Sequence, residues 1–311
     1  MPDGPVVTVL MAVYNDRRFL PEAVESILLQ SFRDFELLVI DDGSTDGCAE
    51  YLSTLHDPRV RVVRHPQNLG LTKSLNHGLG LAAGNFVARM DADDVAMHHR
   101  LERQVDFLRL HPGIGIVGSS RLIIDEKGTV LATAPALQDD VRIRWKCLLG
   151  NPFAHPAVML RRDVLEAHGM RYEETCRTAQ DYELWTRLLS VTRGANLAEP
   201  LLRYRLHDRS VGRVYKAEQL QNHDRIALAA IRRFVPGFEI AAEEVTQLRG
   251  RFGGASVRDE SMDPAEERWL KRFRDLLDAF VRAHATDPEA AAFHAEMKQT
   301  LDKLRPTPRA A

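Results

Sequence analysis

Apolar and polar positions along the first hundred residues fall into blocks with two alternating periods. Val6 to Val13 is an almost unbroken β-branched and apolar run, as expected of a parallel strand covered on both faces. It stops at Tyr14-Asn15. Leu20, Val24, Ile27 and Leu28 then recur at helical spacing, with Pro21 near the start and Asn15 or Asp16 just ahead. A second apolar run, Phe35 to Ile40, ends abruptly in Asp41-Asp42-Gly43-Ser44-Thr45-Asp46. Strand, helix and strand within about 40 residues make a βαβ unit. Two more alternations follow: a strand Val60 to Val63, a helix carrying Leu71, Leu75 and Leu79, and a strand beginning at Phe86. The pattern predicts an α/β fold, a parallel sheet with helices on both faces whose ligands gather at the carboxyl ends of the strands.

After an amphipathic helix over Leu101 to Leu110, expected to begin near Met97, the alternation stops. Ile114 to Val117 and Leu122 to Ile124 read as strands, Asp125-Glu126-Lys127-Gly128 as a turn, and Thr129 to Leu131 as a further strand. Asn151 to Pro156 leads into a short strand Ala157 to Leu160. In Ala179 to Trp185 and onward, Tyr182, Trp185, Leu188 and Leu189 share a helical face, which puts Asp181 in the first turn of that helix. Beyond Leu197 to Tyr204, the polar cluster Arg203-Tyr204-Arg205-Leu206-His207 precedes a flexible stretch Asp208 to Arg213. From Lys216 the chain reads as helices only, with apolar stripes at Trp269, Phe273, Leu276, Leu277 and Phe280 and at Phe293, Met297, Leu301 and Leu304. The tail Arg305 to Ala311 reads as disordered.

The length of 311 residues allows one large domain with an appendage, or two domains. A hydrophobic content of 44%, a charged content of 28% and a formal charge of −2 are ordinary for a globular protein and give no overall attraction to nucleic acid. Cys48, Cys147 and Cys176 are too few and too scattered for a disulfide framework or a thiolate metal site, which points to a reducing, cytoplasmic setting. No apolar run approaches the roughly 20 residues needed to cross a bilayer, and Met1-Pro2-Asp3-Gly4 lacks the signature of a secretion signal.

Three predicted strand ends carry acidic or polar residues: Tyr14-Asn15, Asp41-Asp42 and Asp91-Ala92-Asp93-Asp94. Any one of them alone is a plain turn. Together, past the carboxyl ends of parallel strands, they should meet in space. Three carboxylates within four residues repel one another unless a cation compensates, and oxygen-only ligands suit a hard ion such as Mg²⁺ or Mn²⁺. For Asp181 the competing role is a helix cap.

The ordered motifs Ala12-Val13-Tyr14-Asn15, Val39-Ile40-Asp41-Asp42-Gly43-Ser44, Asn68-Leu69-Gly70, Ala88 to Asp94 and Gln180-Asp181-Tyr182-Glu183-Leu184-Trp185 resemble those of the family 2 inverting glycosyltransferases. The resemblance covers about Val6 to Ser210. It implies the GT-A fold, Rossmann-like with a mostly parallel central sheet, in a catalytic domain over residues 1–215. Residues 1 to about 112 would be its nucleotide-binding half and about 113–215 its acceptor-binding half, with 216–311 a helical C-terminal extension. It also implies a nucleotide-sugar donor, a UDP-sugar first, a divalent metal, and a saccharide or lipid-linked saccharide acceptor in cell-surface polysaccharide synthesis.

Carried over by position, Ala12, Tyr14 and Asn15 resemble the first base-binding loop, Asp42 the carboxylate that accepts from the base imide, and Asn68 a further nucleotide contact. Arg89 and Asp91 to Asp94 resemble the ribose-and-metal element. Asp91 is expected at the nucleotide and Asp93 and Asp94 at the metal, although the sequence does not divide the three carboxylates between ribose and ion. His207 is similar to a late histidine that reaches the metal or diphosphate, and Asp181 to the catalytic base. Gln180 stands where the family often has an acidic residue, so an acceptor contact there is not carried over. The helices after Lys216 are expected to pack on the catalytic domain or to pair two copies of the chain, and a lipid-linked acceptor would bring the protein to the inner face of the membrane.

Two other readings compete. A sugar-phosphate nucleotidyltransferase would want a glycine-rich phosphate loop where Tyr14-Asn15-Asp16-Arg17 stands. A receiver-like binding module would end after about five βα units, whereas this chain changes pattern near Ile114 and continues. A non-catalytic nucleotide-sugar binder is the remaining alternative.

Overall fold

Strand β1 (Val7–Val13) has every residue buried, because it is hydrogen-bonded in parallel to β2 (Phe35–Asp41) on one side and β4 (Phe86–Asp91) on the other and is covered on both faces. The computed structural model describes residues 4–207, 216–253 and 264–302. Helix α1 (Leu20–Leu28), with Pro21 in its first turn, buries Leu20, Ala23, Val24 and Ile27 in the same core cluster as Val7, Val9, Met11 and Val13. Helix α3 (Leu71–Leu81) lies close to Leu10, so close that a Cβ on Gly78 would come within 2.2 Å of the Leu10 side chain. Burial of such apolar side chains contributes about 1.5–3 kcal/mol each, which is why the parallel strands are legible as apolar runs.

Between these elements lie α2 (Cys48–Ser53) and the edge strand β3 (Val60–Arg64), whose arginines and half-exposed pattern suit an edge. The strand order is β3-β2-β1-β4-β8-β6-β9-β5, with β7 (Val130–Ala134) on the side of β6 (Ile114–Ile124). The chain winds outward from β1 to β3, then returns to the other side of β1 as β4. The crevice at the carboxyl ends of β1 and β4 is therefore a topological switch point. Beyond β4 the sheet is mixed: β8 (Met159–Arg161) runs antiparallel to β4 and β6, β9 (Arg193–Arg205) parallel to β6, and β5 (Val95–Ala96) antiparallel to β9.

Several boundaries differ from the sequence expectation. The two short strands expected at Ile114 to Val117 and Leu122 to Ile124 are one strand, β6. Gly118-Ser119-Ser120 bridges them because these residues stay paired with Asn196, Leu197 and Pro200 of β9. Pro156 converts the start of the expected strand Ala157 to Leu160 into a single 3₁₀ turn, His155–Ala157, and β8 follows it. Helix α4 (Arg100–Leu110) begins three residues after Met97, whose carbonyl accepts from the Arg100 N–H. Helices α6 (Arg162–Ala167) and α7 (Gln180–Leu188) complete this part, and α7 buries Tyr182, Leu184, Trp185 and Leu188.

The chain divides into two compact units, residues 1–138 with 153–219 and residues 139–152 with 220–311. The second therefore includes a segment, Asp139–Pro152, that a single cut near Lys216 leaves out. Its helix α5 (Asp140–Cys147) is capped by Asp139, whose carboxylate accepts from the Arg142 N–H at 2.9 Å. The other helices are α8 (Lys216–Phe234), α9 (Ala242–Phe252), α10 (Pro264–Ala283) and α11 (Ala290–Asp302). Trp145 of α5 receives the apolar stripes: its ring centroid is 5.3 Å from Phe273, 5.3 Å from Phe280 and 5.9 Å from Phe293. No helix among the described residues is long and apolar enough to cross a membrane. The stretch Asp208 to Arg213, Leu304 and the tail Arg305 to Ala311 lie outside the described residues.

Candidate functional site: an acidic turn at the switch point

Asp91 is the last residue of β4, and one oxygen from each of Asp91, Asp93 and Asp94 lies within 4.8 Å of the others. Asp94 is 1% exposed. Its Oδ1 accepts from the Arg205 backbone N–H at 2.8 Å, and its Oδ2 is buried without a hydrogen-bond partner. Burial, then the charges of Asp93 and Asp91, push the Asp94 carboxyl well above the usual carboxylate range. Asp91 is also raised, by burial first, against the opposing charge of Arg89. The Asp93 Oδ2 lies 2.8 Å from His207 Nε2, and that bond raises the His207 imidazole above its ordinary value although burial opposes it.

Arg89 is enclosed, and its guanidinium is ion-paired with Asp91 instead of facing open solvent. Two other residues of this region went unassigned in the sequence. Arg205, 2% exposed, donates from Nε to the Asp93 carbonyl at 2.8 Å, from Nη1 to the carbonyls of Asp125 and Glu126, and from Nη2 to Glu22 at 2.6 Å. It ties the acidic turn to α1 and to the turn before β7; in the sequence it stood only as a member of a polar cluster. Asp16 lines a cavity of roughly 300 Å³ with Asn15, Phe19, Asp46, Glu126 and His207, and its carboxyl is raised to about 6, by burial and then by Asp93.

On the other side of β1, Ala12 is in register with Asp91 while Val13 is in register with Asp41. The two acidic strand ends are therefore about 10 Å apart, two strand spacings. Asn15 takes a left-handed φ of 52°, its N–H donates to the Ser44 hydroxyl at 3.1 Å, and its Oδ1 accepts from the Thr45 N–H at 2.8 Å. Its side chain thus ties the first loop to the second. Tyr14 is 49% exposed and its ring is open to stacking, and Asn68 is exposed as well. Gly43 sits at φ +78°, where a Cβ would come within 2.6 Å of the Gln67 backbone, so the loop 67–70 folds tightly over Asp42. The Asp42 Oδ1 accepts from the Leu69 N–H at 3.0 Å and from His65 Nδ1 at 2.8 Å, and Oδ2 accepts from the Gly70 N–H at 2.8 Å. Burial alone would raise the Asp42 carboxyl, but hydrogen bonds led by the one from His65 hold it below its ordinary value.

Asp181 is the second residue of α7; the cap position belongs to Ala179, at φ 58°. The half-buried Asp181 is close enough to the acidic turn for its charge to contribute to the raised Asp91, and it acts on Tyr172 as well. Beneath it, His155 Nε2 and the Tyr172 hydroxyl are 2.8 Å apart, and burial together with the Arg89 charge holds His155 neutral, well below its ordinary value. Gln180 is buried at 7% exposure.

The chain and its fold have counterparts among known proteins. The profile of Glycosyl transferase family 2 matches residues 8–169. The putative glycosyltransferase EpsE of Bacillus subtilis (strain 168) is 37% identical over 210 residues, 66% of this chain and 74% of that protein. The O-antigen biosynthesis glycosyltransferase WbnJ of Escherichia coli is 31% identical over 66% of this chain and 81% of its own length. Among solved structures, S. aureus TarS 1-349 in complex with UDP superposes with a TM-score of 0.59 at 18% identity, over 96% of this chain and 90% of that one. The fold is thus that of the GT-A glycosyltransferases, and the chain belongs to glycosyltransferase family 2.

Proposed function

We propose that this protein transfers a sugar from a nucleoside-diphosphate donor, a UDP-sugar first, to a hydroxyl of a saccharide or lipid-linked saccharide acceptor, with inversion at the anomeric carbon. Polysaccharide assembly is the setting suggested by the relative named for O-antigen biosynthesis. The observation that carries the reading is the buried, unpartnered Asp94 Oδ2 inside a cluster of three carboxylates. An orphaned acceptor beside two more anions fits a divalent cation, Mn²⁺ or Mg²⁺. Asp93 and Asp94 would hold it, with His207 able to join from its place on Asp93. Bound there, such an ion stabilises the negative charge that develops on a diphosphate leaving group.

The chain's own residues have separable tasks in this reading. Tyr14 stacks on the base, and Asp42 accepts the base imide N–H. Ala12 leaves space beside Asp91 for the ribose, Asn15 holds the first loop to the second, and Asn68 borders the base from the third. Arg89 acts through Asp91, which it pairs and orients. Asp181 takes the proton of the acceptor hydroxyl as that oxygen attacks the anomeric carbon, because a neutral hydroxyl is a poor nucleophile. The bond to the diphosphate breaks in the same displacement, so one inversion results.

The test is calorimetric titration with UDP and with GDP, each with Mn²⁺, followed by hydrolysis and transfer assays on a panel of UDP-sugars. Nucleotide binding with turnover supports an enzyme, and binding without any turnover supports the non-catalytic alternative. Failure of both nucleotides to bind would exclude the donor site.

A further inference from the structure

The segment that leads into α7 is clamped from both sides. On one side, Asn76 of α3 meets the backbone of Tyr172 with both ends of its amide: Nδ2 donates to the Tyr172 carbonyl at 2.8 Å, and Oδ1 accepts from the Tyr172 N–H at 2.9 Å. Thr72, one turn earlier on the same face of α3, donates from its hydroxyl to the Cys176 carbonyl at 3.2 Å. On the other side, Arg187 of α7 donates from Nη2 to the Arg171 carbonyl at 2.6 Å, while Glu183 holds its guanidinium in place. We propose that Asn76, helped by Thr72, is a positioning residue for Asp181, and that it acts through residues 171–179 to set where that carboxylate meets the acceptor hydroxyl. This rests on the reading of Asp181 as the base given above.

Tyr172 is 3% exposed and lies outside the helices and strands, so its N–H and carbonyl need partners from elsewhere in the fold. A side-chain amide answers both at once. Asn76→Asp would set oxygen against the Tyr172 carbonyl, and Asn76→Ala would leave both groups unmet. Tyr172 carries the clamp onward through its side chain: its hydroxyl is bonded to His155, and its ring lies 6.4 Å from that of Trp185, one turn after Asp181 on α7. Between the clamp and Asp181 stands Ala179 at φ 58°, a left-handed conformation that a residue with a Cβ keeps only where its surroundings enforce it. Loosening the clamp frees Ala179 to leave that conformation. The first turn of α7 then shifts, and Asp181 moves with it. Asn76 stands in the second turn of α3, whereas the Gly70 N–H at the start of that helix donates to Asp42. One helix therefore serves the base-binding carboxylate at its start and the Asp181 clamp further along, and the two tasks can be separated by substitution.

The test measures the rate of sugar transfer, on the acceptor found in a screen of sugars, beside the Kd of UDP with Mn²⁺. The wild type is compared with Asn76→Ala, Thr72→Val, Asp181→Asn and the double variant of Asn76→Ala with Asp181→Asn. A small misplacement of a catalytic group costs up to about 10²-fold in rate, so kcat of Asn76→Ala is expected to fall about 10- to 100-fold and that of Thr72→Val about threefold, with Kd within about twofold of the wild type. A residue that acts through Asp181 has nothing to act through once that carboxylate is an amide. Single-turnover rates of the double variant and of Asp181→Asn should therefore agree within about twofold, whereas a mere loss of folded protein would lower the rate by the same factor in both backgrounds. Wild-type kcat in Asn76→Ala, or in Thr72→Val should Asn76→Ala not fold, would overturn the inference. A loss of equal size in the Asp181→Asn background, or a UDP affinity that falls in step with kcat, would overturn it as well, and each of these results leaves Asp181 as the base. Near-normal kcat in Asp181→Asn, or no transfer by the wild type to any acceptor, would overturn the reading of Asp181, and the inference with it.

Discussion

Arg89 and Asp91 project from the same face of β4, two residues apart, and the enclosed guanidinium of the first is ion-paired with the carboxylate that ends the strand. A buried cation thus lies beside an acidic turn that the buried Arg100 and Arg205 also approach. Replacing Arg89 by Met keeps most of the volume and leaves Asp91 unpaired. The Asp91 side chain left behind is 30% exposed, so the cost is a part of the roughly 3–5 kcal/mol of breaking a fully buried pair, and the urea midpoint of Arg89→Met should drop accordingly. Because the turn has then lost one of its compensating charges, Mn²⁺ should raise the melting temperature of Arg89→Met by more than it raises that of the wild type.

The acidic turn also fixes how stability follows pH. Asp16 at about 6 and the raised Asp91 and Asp94 are carboxyls whose folded values lie above the unfolded ones, so the native state binds more protons than the unfolded state as pH passes through that range. Their contribution to stability therefore falls as pH rises from about 4 towards and beyond 6. His207 acts in the same direction: its raised value contributes stability that is present below the ordinary imidazole range and is lost as pH rises through the folded value. Asp42 is lowered and contributes with the opposite sign, but only below the carboxylate range. His155, His223 and His284, held below the ordinary imidazole value by burial, contribute with the opposite sign up to about pH 6.5, so the expected outcome in the absence of metal is a melting temperature that decreases from about pH 7 to pH 8. Asp94→Asn should flatten that slope, and Mn²⁺ at pH 8 should recover much of the loss in the wild type and little of it in Asp93→Ala or Asp94→Ala. Differential scanning calorimetry across pH, with and without the ion, checks each part.

The elements that carry the acidic turns were legible because a strand buried on both faces must be almost wholly apolar, and three carboxylates at its end stand out against such a run. Helix α5 was not. Its buried Val141, Ile143, Trp145 and Cys147 alternate with Arg142, Arg144 and Lys146, a strand-like period, and only the Asp139 cap hints at a helix. Arg205 was missed for a different reason. Its role is a contact with the Asp93 carbonyl across 112 residues of sequence, and no local pattern encodes a contact of that range. Asn76 and Tyr172 are separated by 96 residues, so their contact also appears only in the folded chain.

Trp145 is 7% exposed and meets Phe273, Phe280 and Phe293, so it joins three of the helices of the second unit. Trp145→Ala removes the ring and leaves a cavity, at about 3–5 kcal/mol for an aromatic truncation in a core. Hydrogen exchange should then show faster opening of α5, α10 and α11. If UDP and Mn²⁺ bind the variant as they bind the wild type, the second unit acts in folding or partner contact and not in the donor site.

Asp181 gives the sharpest separation between a structural and a chemical role. It is the second residue of α7, the cap position is Ala179, and its charge is felt at Asp91. Asp181→Asn keeps the size and a polar group in the first turn, so a carboxylate kept there only for the helix dipole would lose about 0.3–1 kcal/mol of stability and no activity. A general base would lose its function, because an amide has no useful basicity. Turnover in Asp181→Asn is therefore expected to fall by about 10² to 10⁴ with donor affinity nearly unchanged. The measurement is kcat beside the Kd for the nucleotide, on the acceptor that a screen of sugars and lipid-linked sugars identifies. Near-normal kcat would remove Asp181 from the chemistry and leave the donor site without its base, while a parallel loss of nucleotide affinity would place Asp181 in the donor site instead.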